Sequence, residues 1–336
     1  MKIAALLPHV EVFGGVRRYL ELGNEFVKRG HTFVLFHPEG VPPSWLEFRG
    51  QVRALSGLEA DSYDIGLCSE YSILPWFERL RAGLKYFYFV LEGHKQEKEV
   101  VRRPFHFLGN SEGLCRRLEK RYGIACFRAA GGVNPALFHP LDRELSAVTD
   151  EFKILCYGRI FRKRKGIQHV IRAADSLAGR VPGLKLLFFD TPVGQDKRDP
   201  RTLIKTRLPY EFYLDLPQSR MAWLYSRADL FVSAERRAGW ANTAAEAMAC
   251  RLPVICTVSG TRDFAVNGET ALVVPASHPY FLRRAILRLI RDPGLRNRLA
   301  EAGLRKIGEF TWEVLAAGLE AHFQAELGLG SLPRAN

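Results

Sequence analysis

The chain has 336 residues, of which 47% are hydrophobic and 25% charged, and a formal net charge of +13 from 49 Lys and Arg against 36 Asp and Glu. That length predicts about two domains, and the balance is that of a soluble globular protein rather than a disordered or fibrous one. The longest apolar runs fall far short of the roughly 20 residues that span a bilayer, and the cationic excess calls for an anionic partner, whether nucleic acid, acidic lipid or a phosphorylated substrate.

The N-terminal MKIAALL runs into Pro8, His9 and Glu11, where a signal peptide would stay apolar, so Lys2 to Leu7 reads as a first strand. Gly14 and Gly15 follow, then a helix from about Val16 to Lys28, closed by Gly30, and a strand from Thr32 to His37. Further strands are expected at Ile65 to Ser69, Tyr86 to Leu91 and Phe105 to Gly109, the last feeding a helix from Ser111 to Tyr122. The stretch from Asn134 to Asp150 lacks strand character and carries two prolines, which marks a boundary.

The pattern then restarts with a strand at Lys153 to Tyr157 and a helix at Gly166 to Leu177. Strands at Leu184 to Phe189, Glu211 to Leu214, Leu230 to Ser233, Val254 to Cys256 and Ala271 to Val274 alternate with helices at Ser219 to Arg227, Ala244 to Ala249, Tyr280 to Arg291 and Leu295 to Ile307. Apolar strands separated by helices predict an α/β protein made of two doubly wound, parallel-sheet, Rossmann-like domains facing each other across a cleft, residues 1–142 and 150–310. A last helix within 311–330 is expected to cross back to the first domain. Ligands of such sheets bind where loops leave the carboxyl ends of strands, which directs attention to Gly14, Gly158, Gly239 and Gly260.

Three of these loops carry chemistry. Gly14 and Gly15 let backbone N–H groups approach an anion at a helix N-terminus, or simply make a tight turn. The loop YGRIFRKRKG places Arg159 beside Gly158 and Lys165 just before a helix, positions from which a forked guanidinium and a point-charge ammonium can hold a diphosphate. Arg162, Lys163 and Arg164 read as solvated. Glu246 is the only charge between Ala238 and Cys250, and burial there demands a partner, either a ligand hydroxyl or a Lys or Arg of the core. The six cysteines show no CxxC or metal spacing and read as reduced, buried thiols of a cytoplasmic protein. The nine histidines contain no HExxH-like pair, so no metal is expected.

Taken in order, the GG loop, NSEGLCRRL followed by GGVNPALFHP, GR with KG six residues after its Arg, and EAMACRLPVI make the chain resemble the retaining glycosyltransferases of family four, which have the GT-B fold. The resemblance runs from Met1 to about Trp312. It implies a nucleotide-sugar donor, UDP- or GDP-linked, and no cofactor or metal. Gly14 and Gly15 would face the donor diphosphate, Arg159 and Lys165 would bind it, Asn242 and Thr243 would offer donors to phosphate or sugar, and Glu246 would hold the ribose hydroxyls. Two positions depart from the family. Ala238 stands where a Glu usually contacts the transferred sugar, with Glu235 three residues too early, and VLEG stands where the family often ends a strand in TxHG, leaving Glu92 or His94 near the reacting carbon.

The implied acceptor is a glycan or lipid-linked molecule in cell-surface polysaccharide synthesis. Arg17, Arg102, Arg103 and Arg116 are assigned to its side of the protein or to an anionic membrane surface on the inner face. A nucleotide-sugar epimerase or a catalytically inactive donor-binding protein shares the fold. A nucleic-acid-binding protein is the distant alternative, and with no helix-turn-helix, zinc or stacking-aromatic signature, nucleic acid is not expected as a partner.

Overall fold

The computed structural model describes residues 1–141, 151–191 and 198–329. Two units divide the chain, Met1–Gly132 with Phe310–Asn336, and Val133–Glu309. The division falls ahead of the expected 142, and residues 142–150 lie outside those described. Phe138 is the physical reason: it is buried in edge contact with Tyr225, ring centroids 6.2 Å apart, so the exit segment packs on the second unit.

In unit 1 the chain runs β1 (Lys2–Leu6), α1 (Gly14–Lys28), β2 (Thr32–His37), β3 (Gln51–Ala54), β4 (Tyr63–Cys68), α2 (Leu74–Arg79), β5 (Ala82–Phe89), α3 (Glu97–Val100), β6 (His106–Gly109), α4 (Glu112–Tyr122) and β7 (Phe127–Arg128). These strands form one parallel sheet in the order β3-β2-β1-β4-β5-β6-β7. The continuous apolar run of β1 is explained by two cores: Ile3 and Ala5 face one, Ala4 and Leu6 the other. The sequence reading did not include β3, α2, α3 or β7; β3 is a half-exposed edge strand and β7 only two residues long, so neither carries an apolar run. The helix α1 starts at the glycine pair itself.

In unit 2 the order is β8 (Phe152–Tyr157), α5 (Ile167–Asp175), β9 (Leu184–Asp190), β10 (Tyr210–Leu214), α6 (Met221–Ser226), β11 (Leu230–Ser233), α7 (Asn242–Ala249), β12 (Val254–Thr257), β13 (Leu272–Val274), α8 (Pro279–Arg291) and α9 (Pro293–Ile307). The six strands pair in the order β10-β9-β8-β11-β12-β13, all parallel. In both sheets the first strand lies inside, between the one that follows it and one reached by a crossover, as in doubly wound folds.

The last helix, α10 (Trp312–Glu326), belongs to unit 1. Its Trp312, Ala316, Leu319 and Phe323 enter the core beside Tyr19, Leu22 and Phe26 of α1. Gly132 makes room for it, since a Cβ there would lie 2.8 Å from the Trp312 backbone nitrogen. Glu320 then ties α10 to Arg29 and His31, at 2.5 and 2.9 Å.

Candidate active site

In unit 2 the loops after β8 and β11 leave adjacent parallel strands and lie against each other: the Arg236 amide donates to the Arg164 carbonyl at 2.7 Å. Gly166, with φ of 69°, makes that approach possible, because a Cβ would stand 2.1 Å from the Ala234 carbonyl oxygen. Lys165 is thereby carried to Glu235, Nζ to Oε1 2.5 Å. Arg159 turns to Asp190 at the end of β9, Nε to Oδ1 3.0 Å, and donates to the Thr191 carbonyl. Both cations also flank the Tyr157 ring, Arg159 at 5.5 Å and Lys165 at 5.2 Å from its centroid. Arg159 and Lys165 thus share one ring, with a carboxylate behind each.

Asp190 is 2% exposed, and burial pushes its carboxyl above the usual range, opposed by the Arg159 guanidinium, the Thr191 amide and Tyr157. Burial likewise raises the Tyr157 hydroxyl. Such an arrangement fixes the two cations before any anion arrives, with their counter-ions buried and their positions set by packing.

The loop before α7 is held by hydrogen bonds to the loop after β12. Thr257 Oγ1 donates to the Glu235 carbonyl (2.5 Å), the Ala238 amide to Ser259 Oγ (2.8 Å) and the Ala241 amide to the Gly260 carbonyl (2.8 Å). Ala238 is buried against Gly260, at φ of 73°, where a Cβ would lie 2.9 Å from the Ala238 methyl. Asn242 and Thr243 open α7, and Ala241 in the capping position provides no side-chain cap. Glu246 is 8% exposed, and the Tyr225 hydroxyl donates to its Oε2 at 3.0 Å and lies 3.2 Å from the Thr243 carbonyl. Asp190 and Tyr225 are the participants the sequence reading missed. Asp190 had a signal in LKLLFFD, a charge closing an apolar strand; Tyr225, from a different helix, had none.

In unit 1 the glycine pair opens α1 with Phe13 extended before it and no side-chain cap. Among the described residues a Cβ on Gly15 would meet only Glu70 Oε1, at 3.8 Å. Glu70 follows β4 and lines a cavity of about 340 Å³ with Ser69, Tyr71, Phe87, Phe89 and His94. Burial raises its carboxyl above the ordinary range. The His94 ring stacks on Tyr71, centroids 3.8 Å apart at 14°, and Nδ1 accepts from the Gln96 amide at 3.3 Å. Of the two residues left open near the reacting carbon, His94 lines the cavity and Glu92 is not among its walls.

The basic residues assigned to an acceptor or membrane side are placed differently from one another. Arg17 is buried, its guanidinium 5.7 Å from the Trp45 ring. Arg103 pairs with Glu78 and Arg116 with Glu112 (2.7 Å), while Arg102 is exposed. Arg117 makes a forked pair with Glu97, at 2.6 and 2.7 Å. Burial opposes it, but the guanidinium and the Tyr122 hydroxyl hold the Glu97 carboxyl below its usual range. Among the described residues no three His, Cys, Asp or Glu side chains gather as a metal site would need, and no helix is long and apolar enough to cross a membrane.

Residues 140–306 match the model of the family described as glycosyl transferases group 1. The chain is similar to the capsular polysaccharide biosynthesis glycosyltransferase CapM of Staphylococcus aureus, 25% identical over 260 residues that cover 73% of this chain and 67% of CapM. The matched stretch spans between about half and two thirds of the curated relatives. Among solved structures, sucrose-phosphate synthase from Thermosynechococcus elongatus superposes with a TM-score of 0.80 at 19% identity, covering 98% of this chain and 100% of that one. Anabaena HepE, solved with UDP-glucose, superposes at 0.75 with 14% identity and covers 97% and 100%. Such likenesses establish the GT-B fold, built of two parallel-sheet Rossmann-like units.

Proposed function

Because its residues 140–306 place this chain in the glycosyl transferases group 1 family, we propose that it transfers a sugar, with retention, from a nucleotide-sugar donor to a hydroxyl acceptor in cell-surface polysaccharide or glycoconjugate synthesis. The observation that carries the reading is the convergence on adjacent strand ends of unit 2 of two prepositioned cations, Arg159 and Lys165, with the buried Glu246 beside the uncapped start of α7. A diphosphate suits the cations, and a ribose hydroxyl suits a carboxylate. HepE, a neighbour in fold, was solved with UDP-glucose, which favours UDP among the bases.

In the reaction the bond between the anomeric carbon and the leaving phosphate oxygen breaks, and the acceptor oxygen bonds to that carbon on the same face. The acceptor proton passes to the leaving phosphate, so no strong protein base is required. Arg159 and Lys165 stabilise the negative charge that develops there without a metal. The acceptor is a glycan or lipid-linked molecule, and the protein works in the cytoplasm at an anionic membrane surface.

The test is a thermal-shift screen of UDP, GDP, ADP and TDP sugars, since a ligand bound only to the folded state at a hundred times its Kd adds about 2.7 kcal/mol of stability. One donor should raise the melting temperature, and its turnover should yield a product of unchanged anomeric configuration in the presence of EDTA. Absence of a shift with every donor would count against the reading; an inverted product would overturn retention, and loss of turnover in EDTA the metal-free mechanism.

A further inference from the structure

We propose that the face of unit 2 formed by α8 is the surface through which this protein rests on an anionic bilayer. The thirteen residues of α8, PYFLRRAILRLIR, contain four arginines and no carboxylate. At 3.6 residues per turn Tyr280, Phe281, Arg284, Arg288 and Arg291 fall within about a third of the helix circumference. That arc is the exposed one, and Leu282, Ala285, Ile286 and Leu289 are buried on the other side. Arg284, Arg288 and Arg291 have no carboxylate partner among the described residues, and Asp292, next in the chain, accepts from the Leu295 amide at 2.8 Å to cap α9. Arg298 of α9 adds a further exposed cation close by in sequence.

Two exposed aromatic rings distinguish this face from a merely solvated one. Tyr280 is 45% and Phe281 36% exposed, their centroids 5.3 Å apart, at the N-terminal end of the helix. The Arg283 and Arg284 guanidinium groups lie 5.8 and 5.6 Å from the Tyr280 ring, and Arg284 Nη1 donates to its hydroxyl at 2.9 Å. Rings at the rim of a carboxylate-free arginine stripe match a lipid surface, where phosphates meet the guanidinium groups and the rings settle among the headgroups. In unit 1, by contrast, Arg103, Arg116 and Arg117 are neutralised by Glu78, Glu112 and Glu97.

The proposal rests on the reading above only in placing the acceptor at a membrane, and vesicle binding is measured without donor or acceptor, so the two can fail separately. Sedimentation with phosphatidylcholine vesicles, with and without phosphatidylserine, should show binding only when the anionic lipid is present. Arg284→Gln with Arg288→Gln should weaken it about twenty-five-fold, taking roughly five-fold for each cation. Tyr280→Ser with Phe281→Ser should weaken it at unchanged charge, while Arg102→Gln with Arg103→Gln should change it less than the α8 pair does. Transfer to a soluble acceptor should be unchanged in the α8 variants. No binding to anionic vesicles, binding untouched by the α8 changes, or binding that ignores the aromatic pair and is competed equally by random duplex DNA would each overturn the proposal.

Discussion

Replacing Arg159 by Ala tests whether the cation behind the proposed diphosphate site is also a structural element. Asp190 is 2% exposed and its Oδ1 lies 3.0 Å from the guanidinium. At an effective dielectric constant of 20 that separation corresponds to about 5 kcal/mol of attraction, and removing one partner of a buried pair typically costs about 3–5 kcal/mol. The loss should therefore appear in stability as well as in turnover, lowering the melting temperature by about 10 °C at two to four degrees per kcal/mol. It should also depend on pH. Burial already holds the Asp190 carboxyl above its ordinary range, and removing Arg159 raises it further. A carboxyl whose folded pKa exceeds its unfolded value takes up protons on folding, so stability falls as pH rises from the unfolded value through the folded one. Thermal and urea denaturation at pH 5 and pH 8 should thus show a larger deficit at pH 8, and Arg159→Ala combined with Asp190→Asn should recover much of it. A deficit below about 1 kcal/mol, or one equal at both pH values, would refute the assignment of Asp190 as a charge held by Arg159.

Gly166→Ala should cost at least about 2 kcal/mol in urea denaturation, because the left-handed backbone and the Ala234 carbonyl 2.1 Å from the new methyl both oppose it; a loss under 0.5 kcal/mol would show that the loop shifts freely. Tyr225→Phe removes a donor to Glu246, and a lost hydrogen bond to a charged group should cost about 1.5–3 kcal/mol of stability in urea denaturation. If Glu246 also meets the ribose, Glu246→Gln should weaken UDP more than inorganic pyrophosphate in titration calorimetry, and equal weakening of both would remove it from the nucleoside. Glu70 carries a carboxyl raised by burial, so Glu70→Gln should gain stability relative to the parent as pH rises from 4 to 7; a constant difference across that range would show that Glu70 does not titrate differently on folding.

The fold was legible in the sequence wherever a strand is buried on both faces. β1, β2, β8 and β11 follow continuous apolar runs because each alternates between two cores or lies inside a sheet, and a run of that kind needs no knowledge of its neighbours. The edge strand β3 and the two-residue β7 were not legible, since an edge is half solvated and its residues show no such pattern. The division between units was displaced for a similar reason: only the contact of Phe138 with Tyr225 reveals that the segment after Val133 belongs to unit 2.

The site divides along the same line. That Arg159, Lys165 and Glu246 stand at strand ends could be read directly, because loop position follows from the strand pattern and charge in an apolar setting stands out. Which partners they take could not be read. Asp190, Glu235 and Tyr225 reach them from a strand end, a loop and a helix 31, 70 and 21 residues away in sequence, and Glu70 meets the glycine pair only because β4 pairs with β1. Two doubly wound sheets, and the loops where chemistry would sit, follow from local apolar periodicity. Which cations lie against buried carboxylates, and which on α8 have no carboxylate partner among the described residues, depends on distances that parallel strand order sets and no local pattern records.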